Sequence, residues 1–179
     1  CFGASADLRS SSGERSLSLE QLWIGPGATA ADPRELLVRV DVPAPAPATG
    51  SAYVRLEYRR QMEIAVVGVT AVVRLDAGSV SDARVAITAL APTIRRVSEA
   101  EAALIGSDGG DEAIAEAARA AASGSSPITD VRSSAEYRSA MANVIARRAI
   151  VVALARARGK HLPIPASAAT YASVGGTST

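Results

Sequence analysis

In the stretch AYVRLEYRR, Tyr53, Arg55, Glu57 and Arg59 fall at every second position. A strand would carry all four on one face. An aromatic ring two residues from a cation could cover a flat electron-accepting ring and hold negative charge beside it. The same residue types also suit the solvated face of an edge strand, and both readings stand at this point. Other candidate chemistry is sparse. Cys1 is the only cysteine and His161 the only histidine, so no disulfide framework, zinc site or protein-held iron–sulfur cluster can be assembled. A Ser-His-Asp triad would have to use His161, in the Pro-rich run KHLPIP, where a solvated tail residue is the simpler reading. Gly25-Pro26-Gly27 lacks the spacing of a phosphate loop and reads as a tight turn. The pairs Arg95/Arg96, Arg147/Arg148 and Arg156/Arg158 suit ion pairs, helix ends or a protein partner. The acidic residues of 108–116 read as charges of a helix's first turn.

These side chains need elements to position them. Two strands are expected at 4–9 and 15–19 around a Ser-Ser-Gly turn, then a helical turn at 19–23 and a strand at 35–42. PAPAPATG, 43–50, reads as a stiff, extended hinge and the clearest boundary. Beyond it, 52–58 would bury Ala52, Val54, Leu56 and Tyr58. In 64–75, Ala65, Val67, Val69, Ala71, Val73 and Leu75 form a wholly apolar face opposite Gly68, Thr70 and Arg74. Asp76-Ala77-Gly78 turns the chain into 80–90, with Ala83, Val85, Ile87 and Ala89 on one side. Three helices should follow. A capping box of Ser98 and Glu101 opens the first, Asp111 caps 112–122, and a box of Ser133 and Glu136 opens 134–158. In that last helix Tyr137, Met141, Val144, Ile145 and Val152 recur at helical spacing, Arg156 and Arg158 complement the C-terminus, and Gly159 ends it. Strands in a block followed by helices in a block indicate α+β.

Composition narrows the function classes. Nineteen basic and eighteen acidic residues in 179 give a net charge of +1, which argues against a nucleic-acid or membrane-surface role. Ala and Val dominate the apolar share, so the core is built from small, close-packing side chains. No apolar run is long enough to insert in a membrane, and a cytoplasmic location is the expectation. The opening residues show no signal-peptide pattern, and Cys1 reads as a residue exposed by truncation.

Four segments in a set order carry a family resemblance: GERSLSLEQLWIGPGATAADPRELLVRVDVP, AYVRLEYRRQMEIAVVGVTAVVRLDAG, ITALAPTIRRVSEAEAALIG, and SAEYR with the helix after it. Over about residues 4 to 158 the series resembles the C-terminal portion of the FAD-binding medium subunit of molybdenum hydroxylases. This is the carbon monoxide dehydrogenase and xanthine dehydrogenase family, with its flavoprotein C-terminal domain. The resemblance implies a remnant of a PCMH-type FAD-binding lobe, then a three-stranded antiparallel sheet packed on a three-helix bundle. It places the family's apolar flavin contact at Leu37, an aromatic beside the isoalloxazine at Tyr53, and a cation near the flavin at Arg55, where Lys is common. Glu63 stands where the family often has Asp. The upstream loops of the kind AGGT and TIGGN, which hold the FAD pyrophosphate, do not occur in this sequence.

The expected organisation is therefore a lobe remnant with hinge at 1–48, a C-terminal domain at 49–158 (sheet 51–91, helices 98–158) and a disordered tail at 159–179. The implied role is to relay electrons through FAD from the iron–sulfur clusters of a molybdenum hydroxylase to an acceptor, NAD or a quinone. The implied partners are a molybdopterin-binding large subunit and an iron–sulfur small subunit. As a fragment, the chain is expected to bind FAD weakly or not at all and to be inactive alone. The alternative is a non-enzymatic scaffold that docks partner subunits without flavin.

Overall fold

The Ser-Ser-Gly cluster turns the chain back on itself, and the runs on either side pair as antiparallel strands β1 (Ser5–Ser10) and β2 (Gly13–Ser18). The computed structural model describes residues 1–58 and 63–163; Arg59 and most of the 159–179 tail lie outside the described residues. Ser18 opens α1 (Leu19–Leu22) through a reciprocal capping box with Gln21. Strands β3 (Trp23–Gly25) and β4 (Ala28–Thr29) flank Pro26-Gly27, so the Gly-Pro-Gly segment is a hairpin turn, with Gly27 at φ 67°. β5 (Leu36–Asp41) returns antiparallel to β1, giving the order β2-β1-β5. Ala6, Leu8 and Leu22 are the buried core of this first unit, which ends at Pro45. Arg39 Nε donates to the Asp7 carboxylate at 2.8 Å.

The second unit begins at Ala46. β6 (Thr49–Leu56), β7 (Val67–Asp76), β8 (Ser79–Thr88) and the two-residue β9 (Arg95–Arg96) form an antiparallel sheet in that order. The expected three-strand meander is present, with β9 as an added short edge. The hinge ends earlier than expected, because Thr49 and Gly50 already pair with Arg74 and Val73. α2 (Ser98–Leu104), α3 (Asp111–Ser123) and α4 (Ala135–Ala157) pack on one face of the sheet. Val67, Val69, Ala71 and Val73 are fully buried there, with Ala52 and Val54 on β6 and Val85 and Ile87 on β8. Each fully buried Val or Ile contributes about 1.5–3 kcal/mol. The helical side of this core is mostly alanine: Ala117, Ala118, Ala121, Ala142, Ala146, Ala149 and Ala153. Small side chains let the backbones approach closely. A Cβ on Gly50 would stand 2.0 Å from the Ala153 carbonyl oxygen and 2.3 Å from the Ala157 nitrogen.

The helix starts differ from the sequence expectation, each for a local reason. Ser98 is not a cap. Val97 holds that position because its N–H is drawn to the Val85 carbonyl at 2.8 Å, and Glu101 turns inward to accept from the Val85 N–H at 3.0 Å and from Arg96 at 2.7 Å. β8 thus takes the Glu101 carboxylate that the cap would have used, while the Ser98 hydroxyl turns to Glu99. Asp111 lies inside α3, which Gly110 precedes, and its carboxylate pairs with Arg147 at 3.2 Å. Ser134 caps α4 through the Tyr137 N–H, one residue later than expected, since Ser133 is held by paired backbone bonds with Asp130.

One more expectation is corrected. Tyr58 lies beyond the end of β6 and is exposed, its hydroxyl donating to the Arg132 carbonyl at 2.6 Å. Arg156 stands in the last turn of α4 and Arg158 at its C-cap, as expected, and their guanidinium groups also donate to the carbonyls of Ser51 and Pro163 and of Asp108. The α4 terminus closes on Gly159 (φ 80°), as expected, with the Gly159 N–H donating to the Arg156 carbonyl and the Lys160 N–H to the Ala155 carbonyl. Of the expected α4 face, Ile145 and Val152 are buried, Met141 and Val144 are partly buried and Tyr137 is exposed. Among the described residues no helix is long and apolar enough to cross a membrane.

Candidate functional site

Alternation along β6 sends Ala52 and Val54 into the helix-covered core and Tyr53 and Arg55 to the opposite, open face. The register sets Tyr53 across from Thr70 and Arg55 across from Gly68. Tyr53 is 42% exposed and its ring lies diagonally over Gly68: an added Cβ there would be 2.7 Å from the phenol oxygen and 3.0 Å from Cε2. Partial burial pushes the Tyr53 phenol up from its usual range, with the Arg55 charge opposing and the Glu57 charge adding to the rise. Arg55 Nε meets Glu57 Oε2 at 2.5 Å as an ion pair rather than an aligned hydrogen bond.

The structure therefore brings Tyr53 and Arg55 together on one face, with Glu57 beside them. Leu37 belongs to the first unit. It lies on β5, all of whose residues are exposed, and pairs with Leu8. Glu63 is described, but outside any strand. The arrangement on β6 offers a partly exposed ring, a fixed cation and a carboxylate that orients that cation. It fits one side of a flat, electron-rich or anionic ring system. Among the described residues no group of three or more His, Cys, Asp or Glu side chains could hold a metal ion.

One polar cluster escaped the reading of side-chain types. Arg138 is only 4% exposed; it donates to the carbonyls of Val66 (3.1 Å) and Ala89 (3.2 Å) and to the Asp130 carboxylate (2.6 Å). It pins the start of β7 and the end of β8 to the loop ahead of α4. Asp130 is held at about 2, first by the Arg132 N–H and then by Arg138, with burial opposing. The spacing of Arg138 with Ala142, Ile145 and Ala149 already placed it on the buried face of α4.

Comparison with known proteins follows the same segments. A family model described as the CO dehydrogenase flavoprotein C-terminal domain matches residues 52–153, from β6 to α4. The carbon monoxide dehydrogenase medium chain of Hydrogenophaga pseudoflava is 34% identical over 149 residues, covering 83% of this chain and 52% of that protein. A xanthine dehydrogenase FAD-binding subunit of Escherichia coli is 28% identical over 160 residues, covering 89% and 55%. A solved carbon monoxide dehydrogenase from Hydrogenophaga pseudoflava, lacking the Mo-pyranopterin moiety of its molybdenum cofactor, superposes with TM-score 0.83 at 36% identity. The match covers 87% of this chain and 54% of that one. The chain spans about half the length of the curated relatives it matches.

Proposed function

The chain belongs to the CO dehydrogenase flavoprotein C-terminal domain family, and from that premise we propose that it forms part of an FAD-binding medium subunit of a molybdenum hydroxylase. In that role it would pass electrons between iron–sulfur clusters and an acceptor such as NAD or a quinone, beside a molybdopterin-binding large subunit and an iron–sulfur small subunit. The observation that carries the reading is the open face of β6, inside the matched segment, where a partly exposed Tyr53 lies next to the Arg55–Glu57 pair.

FAD, when bound, supplies a ring that accepts electrons from one carrier and donates them to another. The residues of this chain would hold and tune it. Tyr53 offers an aromatic surface and a hydroxyl free to donate a hydrogen bond. Arg55 places positive charge where negative charge gathers on an electron-rich ring, and a ring that displaces water from this face would strengthen that attraction. Glu57 restrains the guanidinium and offsets part of its charge. Gly25-Pro26-Gly27 joins two strands and opens no helix, so that turn is not a pyrophosphate cradle.

The test is the visible spectrum of the native protein that carries this chain, purified with its co-purifying subunits. Flavin absorption bands that disappear on acid precipitation into an FAD-containing supernatant are expected. A correctly folded, colourless protein would overturn the reading.

A further inference from the structure

We propose that Gly68 is a positioning residue for the flavin side of this site: its missing side chain is what lets the Tyr53 ring lie down on the sheet and present its face to the ligand. The inference rests on the reading of β6 as flavin-facing and goes beyond it by assigning a role to a residue on the neighbouring strand.

The geometry is specific. Gly68 sits within β7, a strand otherwise rich in Val, and it is buried although the helices cover the opposite face. A glycine inside a central strand weakens it and marks a site of close approach. The approaching group here is the Tyr53 ring. The three atoms nearest a Cβ added at this position all belong to that ring: its phenol oxygen, Cε2 and Cζ, at 2.7, 3.0 and 3.2 Å. No backbone atom is among them, so an alanine at this position would displace the ring and leave the strands in place. Gly50 is the contrast, since its nearest neighbours are all backbone atoms of α4. Among the described residues the Tyr53 hydroxyl makes no hydrogen bond within the chain, so contact with Gly68 is what sets the tilt of the ring. The phenol of the ring lying on Gly68 is partly buried, and that burial is the main cause of its raised pKa. A ring lifted from Gly68 would stand away from the sheet and occupy the space in front of it, where a planar ligand would lie.

The experiment compares Gly68→Ala, Tyr53→Leu and the double variant by two readouts. The first is the phenolate absorbance titration of the ligand-free chain, with Tyr53 isolated by subtracting the Tyr53→Leu curve. Gly68→Ala should bring the Tyr53 titration down towards the ordinary phenol value. The second is flavin content and fluorescence in the native flavin-loaded protein, where contact with a tyrosine ring quenches emission. Tyr53→Leu should raise the emission several-fold, Gly68→Ala should instead lower the flavin content of the purified protein several-fold, and the double variant should match Tyr53→Leu in both, because Gly68 acts only through the ring. An unchanged Tyr53 titration in Gly68→Ala would overturn the proposal, whatever the flavin does. A titration that shifts while Tyr53→Leu leaves the fluorescence unchanged would also overturn it, and would show that the fault lies in the reading of Tyr53 as flavin-facing. Should Gly68→Ala fail to fold, the double variant must fold, since the clash is with the Tyr53 ring; a double variant that also fails would overturn the proposal.

Discussion

Arg138 and Asp130 show how much structure can hang on one buried cation. Replacing Arg138 with Met keeps most of its volume but withdraws the donors from the Val66 and Ala89 carbonyls. Each buried carbonyl left unpaired costs about 1–3 kcal/mol, so chemical denaturation of Arg138→Met should show a loss on the order of 2–5 kcal/mol. The Asp130 carboxyl adds a pH dependence. Its folded value of about 2 lies below the unfolded value, so the stabilisation is complete above roughly pH 4 and is lost as pH falls towards 2. Thermal midpoints measured across that window should fall more steeply for the wild type than for Asp130→Asn. At this scale the sequence was readable where side-chain alternation decides exposure, as for Tyr53 and Arg55. It misled where a serine or acid had two possible partners. Ser98 and Glu101 have the spacing of a capping box, yet Glu101 is taken by the Val85 N–H and Arg96, a long-range demand that local spacing does not encode.

At the scale of elements, the sheet and α4 meet through residues with almost no side chain. Gly50→Ala puts a methyl group against the α4 backbone, which cannot rotate away. Overpacking of this kind costs about 1–3 kcal/mol, and a denaturant midpoint lowered by that amount is the expected result. The β7–β8 hairpin carries a correctable strain. Its turn places Ala77 at φ 47° and Gly78 at φ 87°, the left-handed pair of a tight hairpin, and an alanine there costs about 1 kcal/mol relative to glycine. Ala77→Gly should therefore raise the thermal midpoint. The strands and helices were legible because their apolar periods are clean. The short β9 was not, since two arginines following Pro92, Thr93 and Ile94 carry no strand pattern of their own; they pair because the β8 edge is open.

The molecule as a whole divides unevenly. The first unit buries Ala6, Leu8 and Leu22, whereas the second buries a continuous core from β6 through α4. As an isolated peptide, residues 1–45 hold three buried apolar side chains, Ala6, Leu8 and Leu22, too few to keep a fold. A chain starting at Ala46 should unfold cooperatively on heating, and residues 1–45 alone should show no transition by circular dichroism. The family and the order of the longer strands and helices were legible because the matching segments are co-linear; the flavin-facing role of β6 depends on groups that strand alternation only suggests. Its most direct test is the midpoint reduction potential of the bound flavin in the native protein, compared with Arg55→Gln. Removing a cation that faces the ring should make the flavin harder to reduce, shifting the potential to a more negative value. A potential unchanged by the substitution, in a protein that retains its flavin, would contradict the placement of Arg55 beside the ring.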